Sequence, residues 1–180
     1  MKTLYSLQDA VQLITSDKHN LKVVIMCGLA GSGKTTFSQI LEKHNFMRLS
    51  IDEEIWAKYG RYGIDYSKDH YGAIQTKAYK SLLHRFYDHL KCRDNIVVDM
   101  SFWQRKKRNE FKRIIESEGG KSFLIYMDTP ISIIKKRLAY RKNRFDANSA
   151  FPITDLMLNE FVSSFEIPEN EEQFRIGEEL

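Results

Sequence analysis

Short apolar runs alternate along this chain with longer stretches whose apolar positions recur every three or four residues. That alternation predicts strands interleaved with helices. Residues 21–27 (Leu-Lys-Val-Val-Ile-Met-Cys) form a β-branched run that reads as a buried strand, and 46–49, 95–100 and 122–127 repeat the signal. Phe37, Ile40 and Leu41 share one face of a helix over 36–43, and Ala78, Leu82, Phe86 and Leu90 mark a long helix over about 71–91. Leu4, Leu7, Val11 and Ile14 have helical spacing and predict a short amphipathic helix ahead of the first strand. Ser50 with Glu53, and Ser101 with Gln104, have the spacing of capping boxes; the second opens a helix to about residue 117 that Gly119-Gly120 ends. Thr129 reads as a helix cap with Pro130 at the first helical position, and that helix runs towards Lys142. Residues 144–152 lack a pattern, Thr154 caps one more helix through 165, and 174–176 predict a last edge strand. Apolar strands alternating with helices imply an α/β fold, a parallel sheet with helices on both faces.

The 180 residues suit one domain, and 42% hydrophobic content is enough for a core. A net charge of +4 suits phosphate-bearing ligands without demanding nucleic acid. Cys27 and Cys92 have no metal-type spacing, and so few cysteines suggest a reducing compartment. No apolar run approaches the ~20 residues of a membrane span, and the N-terminus does not read as a signal peptide. The expectation is a cytoplasmic protein with no membrane partner.

Candidate chemistry enters at Gly28-Leu29-Ala30-Gly31-Ser32-Gly33-Lys34-Thr35, a glycine, four residues, then Gly-Lys-Thr, between a predicted strand and a predicted helix. Glycines let the backbone curl so that several N–H groups face one anion, and the following helix adds its positive dipole end. The cradle spans Gly28, Ala30, Gly31, Ser32, Gly33, Lys34, Thr35 and Thr36. Lys34 is long enough to reach the β- and γ-phosphates of a triphosphate, and the Thr35 hydroxyl is suited to ligate magnesium.

In open α/β sheets ligands bind beyond the carboxyl ends of the strands, so the carboxylates that follow strands are the ones to inspect. Asp52 lies near a helix N-terminus, where the dipole favours its charge; it is the candidate base for the proton of an attacking hydroxyl. Asp99 ends Ile96-Val97-Val98, the pattern of a magnesium-side carboxylate acting directly or through water. Asp128 is assigned to the turn that Thr129-Pro130 builds. The basic runs over 105–113 and 135–144 read mostly as solvated faces. Arg137, Arg141 and Arg144, spaced four and three apart, share a face if the helix reaches that far, as a lid over phosphates requires. The five histidines have no zinc spacing, there is no Gly-x-Ser-x-Gly elbow, and the glycines make no dinucleotide fingerprint.

With these residues in view the chain resembles the bacterial P-loop kinases described as AAA-domain ATP-binding proteins, relatives of polynucleotide 5′-hydroxyl kinase, zeta toxin and small-molecule kinases. The resemblance rests on Gly-Leu-Ala-Gly-Ser-Gly-Lys-Thr-Thr, on Arg48-Leu49-Ser50-Ile51-Asp52, on Val97-Val98-Asp99-Met100-Ser101-Phe102-Trp103 with Arg105 and Arg108, and on Arg141-x-x-Arg144. It covers roughly residues 22 to 168. It implies the P-loop NTPase fold with a helical lid over about 131–152, ATP and magnesium as ligands, and phosphoryl transfer by Lys34, Thr35, Asp52 and one or more of Arg137, Arg141 and Arg144. Polynucleotide kinases place an arginine three residues after the base; here that position is Ile55, beside Glu54 and Trp56. The expected acceptor is therefore a small-molecule hydroxyl, with RNA or DNA ends second and an acceptor-free NTPase or switch third. The tyrosines around 59–66 and Trp103 are candidates to stack on a ring, though packing suits them as well.

Overall fold

In the computed structural model, which describes residues 4–177, the two strands with five consecutive apolar positions occupy the middle of the sheet. The strands are β1 (Leu4–Tyr5), β2 (Lys22–Cys27), β3 (Met47–Ser50), β4 (Ile96–Asp99), β5 (Lys121–Asp128) and β6 (Phe174–Gly177), in the order β1-β6-β5-β2-β4-β3. Every pairing is parallel.

The helices are α1 (Leu7–Ser16), α2 (Lys34–Glu42), α3 (Ile51–Tyr59), α4 (Tyr71–Cys92), α5 (Arg105–Ser117), α6 (Ile131–Arg141) and α7 (Asp155–Ser164). Because side chains of a strand alternate between faces, β2 splits into two cores. Val23, Ile25 and Cys27 pack with Leu82 and Phe86 of α4 and Phe111 and Ile115 of α5. Val24 and Met26 pack with Ala10 and Ile14 of α1 and Phe37 and Leu41 of α2. Both faces of β2 are thus sealed, which is why its sequence reads as a continuous apolar run.

Several local expectations need correction. Leu4 belongs to a two-residue strand, not to the first helix; Ser6 caps that helix by accepting from Asp9 N. The strand at 174–177 is not an edge: it lies between β1 and β5, and the outer edge belongs to β1. Ser101 and Gln104 make no capping box, since Gln104 itself is the N-cap of α5 and makes no side-chain cap bond. Pro130 is the N-cap of α6 rather than its first residue, so Thr129 is released from capping. Ser50 does cap α3, accepting from Glu53 N, and Thr154 caps α7.

Candidate functional site

The parallel order sends the carboxyl ends of β2, β3, β4 and β5 to one rim, and the loop after β2 curls there. Gly28 adopts φ +148°, and a Cβ on it would stand 2.7 Å from Ser32 Oγ. A side chain at position 28 would therefore fill the space the loop encloses. Gly28 N donates to Ser101 O at 3.1 Å, which ties the loop to the segment after β4. The Ser32 hydroxyl is buried and has no hydrogen-bond partner among the described residues. Lys34 folds back over the curl, donating through Nζ to Gly28 O at 3.0 Å and Leu29 O at 2.8 Å. Thr129 Oγ1 donates to Ser32 O at 2.8 Å, so the residue expected to cap α6 instead braces the loop. Arg137 of α6 reaches Gly31 O at 3.4 Å.

Two carboxylates face this loop from neighbouring strands. Ser50 and Asp99 are register partners across β3 and β4, which sets Asp52, two residues on in the first turn of α3, beside Asp99. Water reaches Asp52 along the cleft, yet protein walls enclose it. That enclosure raises its pKa above the ordinary aspartate value, with Asp99 adding to the rise while Arg141, Lys34 and Arg48 oppose it. Burial likewise lowers the pKa of Lys34, against the pull of Asp99 and Asp52. Asp99 itself is held: Arg48 Nη1 donates to its Oδ2 at 2.9 Å, both side chains being almost wholly buried. Arg48 also pairs with Glu42 at 2.9 Å and with Glu53. Sequence reasoning missed this role of Arg48. The available signal was a charged residue inside an otherwise apolar strand, which requires a partner when buried.

The segment after β5 supplies the cations. Ile134 and Leu138 of α6 pack with Leu158 of α7 and with Leu29, so the helix rests on the phosphate-type loop itself. α6 stops at Arg141, and the chain turns with Arg144 N donating to Arg141 O at 3.0 Å. Arg137, Arg141 and Arg144 therefore do not share one helical face. Arg141 is half-buried, and burial lowers its pKa while Asp52 opposes the shift. Arg144 is exposed and pairs with Asp146 at 2.7 Å. A short turn at Ala147–Ser149 follows, and Thr35 Oγ1 donates to Asn148 Oδ1 at 3.4 Å. Asn148 was not singled out from the sequence, because an asparagine in a patternless stretch carries no signal of its own.

Beyond the loop, Arg108 is not on a solvated face. It is fully buried, donates to Phe102 O at 2.9 Å and pairs with Glu171 at 2.7 Å. Phe102 sits at φ +37°, an unfavourable value for a bulky residue, with its carbonyl held by Arg108 and by the Cys27 thiol. Asp128 pairs with Arg175 of β6 at 2.7 Å, so it ties strands together rather than serving the turn. The tyrosines pack on one another and on Phe151, Tyr71 stacking with Phe151 at 4.4 Å, while Trp103 remains partly exposed at the cleft.

Residues 28–36, Asp52, Asp99, Arg137, Arg141 and Arg144 all line one cleft of about 1220 Å³. Its floor fits a triphosphate by its own features: a glycine curl that a Cβ would fill, a buried hydroxyl in need of a partner, and a lysine within reach. No cluster of three or more acidic, histidine or cysteine side chains capable of holding a metal alone occurs among the described residues. A magnesium ion here would depend on Thr35, Asp99 and the phosphates together.

A glycine curl between a buried parallel strand and a helix, braced by the helix after β5, defines a P-loop nucleotide-binding fold of the kinase type. The chain belongs to the AAA domain family AAA_33, which matches residues 23–168. It is 25% identical over 138 residues to a UPF0200 protein of Pyrobaculum aerophilum, covering 76% of each chain. It superposes with a TM-score of 0.68 on a Chloroflexus aurantiacus protein provisionally described as a kinase (15% identity, 88% of each chain). With the Mycobacterium tuberculosis APS kinase CysC, in complex with AMPPNP and APS, the TM-score is 0.55 at 20% identity, covering 87% of this chain and 88% of that one. Among the described residues no helix is long and apolar enough to cross a membrane.

Proposed function

We propose that this chain is an ATP- and magnesium-dependent phosphotransferase that moves the γ-phosphoryl group to a hydroxyl of a small-molecule acceptor. The observation that carries the reading is Asp52, set across the cleft from Lys34 in a space larger than the 300–1,000 Å³ typical of single-ligand pockets. A nucleotide switch needs little beyond the loop, whereas a carboxylate beside so much open space suits an acceptor hydroxyl larger than water.

In this reading Lys34 leaves the carbonyls of Gly28 and Leu29 for the β- and γ-phosphate oxygens, while the amides of 31–36 hold the rest of the triphosphate. Asp52 accepts the proton of the acceptor hydroxyl as its oxygen attacks phosphorus and the bond to the β-phosphate bridging oxygen breaks. Arg141 and Arg137 offset the charge on the transferred group. Magnesium, held by Thr35 with Asp99 beside it, would neutralise phosphate charge. Arg48, bonded to Asp99, keeps that carboxylate oriented for the task. Residues 131–152 act as the lid that shuts water out. RNA or DNA ends are the weaker reading: Ile55 is buried, and the cation α3 carries, Lys58, is already paired with Glu54.

The test is γ-labelled ATP with pools of nucleosides, sugars, aminoglycosides and RNA ends. Label should pass to a small hydroxyl compound, Lys34→Ala should abolish the transfer, and Asp52→Asn should lower it ~10²–10⁴-fold with nucleotide affinity kept. Label released only as inorganic phosphate with every pool would overturn the kinase reading.

A further inference from the structure

A second cavity, of about 200 Å³, lies behind Arg141. Its charged lining is Arg61, Arg141 and Lys142, with no carboxylate in its wall. Arg141, Phe151 and Ile153 line both this cavity and the main cleft, so one molecule can span the two.

Three cations on a surface usually point apart into water. Here all three line one cavity, and the backbone of Arg61 is held in place. Gly60 takes φ +76°, and a Cβ there would stand 2.4 Å from Asp65 Oδ2, so only glycine lets the chain turn at this point. Asp65 then accepts from Arg61 N at 2.6 Å, fixing the backbone. The Arg61 guanidinium lies 5.2 Å from the centre of the Phe145 ring, which packs edge-on against Trp56. Neither Arg61 nor Lys142 has an ion-pair partner among the described residues. Asp52 and Asp146 offset Arg141 in part, but Arg61 and Lys142 add like charge beside it with no ion pair of their own, and an anion in the cavity would offset that repulsion.

We infer that this cavity binds a phosphate, sulfate or carboxylate group carried by the phosphoryl acceptor. The inference rests on the kinase reading and narrows it: the acceptor is an anionic hydroxy compound, its hydroxyl at Asp52 and its anionic end between Arg61 and Lys142. Arg141, shared by both cavities, faces Asp52 on one side and the anion on the other. Phe151 and Tyr62 supply an apolar wall that favours a compact ligand over a polymer.

Sulfate is the first probe, titrated into the ADP-saturated full-length protein so that the glycine loop is already filled, and followed through backbone amide shifts. Saturable shifts should appear at Arg61, Lys142 and Ser149, and Arg61→Ala and Lys142→Gln should each weaken them roughly 10- to 100-fold, with Arg61→Lys intermediate. The second arm is transfer from ATP to matched pairs: glycerol and glycerol 3-phosphate, ribose and ribose 5-phosphate, glucose and gluconate. The charged member should have the lower KM, and Arg61→Ala should close the gap within a pair. Sulfate shifts confined to the glycine loop, or unaltered by both substitutions, would overturn the anion site. Sulfate binding that leaves transfer to a charged acceptor uninhibited would overturn its assignment to the acceptor. Absence of transfer to every compound, with sulfate binding intact and sensitive to Arg61, would instead remove the kinase reading and leave the anion site standing.

Discussion

A carboxylate that serves as a base must be ionised, and Asp52 resists ionisation because the cleft walls enclose it. The sign follows directly. With the pKa raised above the usual aspartate value of about 3.9, the active form is lost as pH falls through a point above that value. The acid limb of kcat/KM in the free enzyme should lie there, and Asp52→Asn should abolish the limb along with most of the rate. Arg141 stabilises the charged form, so Arg141→Ala should move the limb to higher pH, a displacement that loss of phosphate contacts alone cannot produce. Profiles of the three proteins at fixed ionic strength decide this. The glycines, Lys34 and Asp52 were legible in the sequence because their spacing is dictated by chemistry. Arg48 and Asn148 were not, because their partners, Asp99 and Thr35, lie 51 and 113 residues away.

At the scale of elements, the stretch from α6 to the turn at Ala147–Ser149 is attached to the loop by a small apolar cluster and a few polar contacts. Few buried contacts mean a low cost of local opening. Amide exchange over 131–152 should be faster than in β2 or β5, and a non-hydrolysable ATP analogue should slow it. Arg144 and Arg141 should behave differently. Arg144 is exposed and already paired with Asp146, so Arg144→Ala should change turnover several-fold at most. Arg141→Ala should lower it by 10²-fold or about that, the cost of one charged transition-state contact. Equal effects would show that Asp146 releases Arg144 during the reaction. Helices α2 and α4 could be read from periodicity and α3 from its Ser50 cap, and the end of α6 was legible to within a residue, because the pattern runs to Lys142 and then turns irregular.

For the molecule as a whole, the pair Arg108–Glu171 links the C-terminal segment to α5 and to the strained Phe102 beside the cleft. Burial alone would raise the pKa of Glu171, but its bond to Arg108, helped by Lys112 and Arg105, holds it below the ordinary glutamate value. Stability from this pair is therefore complete above about pH 4.3 and lost as pH falls through the lower folded value. Glu171→Ala leaves Arg108 buried and alone, which costs about 3–5 kcal/mol. Melting should fall by roughly 10 °C or more, whereas Glu171→Gln, which keeps a hydrogen bond, should cost less. A melting point within 2 °C or so of the parent in Glu171→Ala would show that the pair is not a clamp. The doubly covered sheet was legible from the apolar runs alone. The place of β6 inside it was not: four residues carry too little pattern to tell an edge from an interior position.

That place has a consequence for how the chain is made. β5 carries five consecutive buried residues, and its outer side is covered only when β6 arrives, nearly fifty residues later in synthesis. Until then a nascent chain leaving the ribosome presents a long apolar strand with unpaired backbone groups, the template on which chains aggregate. β1, translated first, has no sheet partner except β6 and must wait longest of all. A chain cut after Pro168 should keep every residue of the glycine loop yet accumulate in inclusion bodies, and chaperone overexpression should return it to the soluble fraction. For this protein the codons of β6 decide whether the strands made before it are safe.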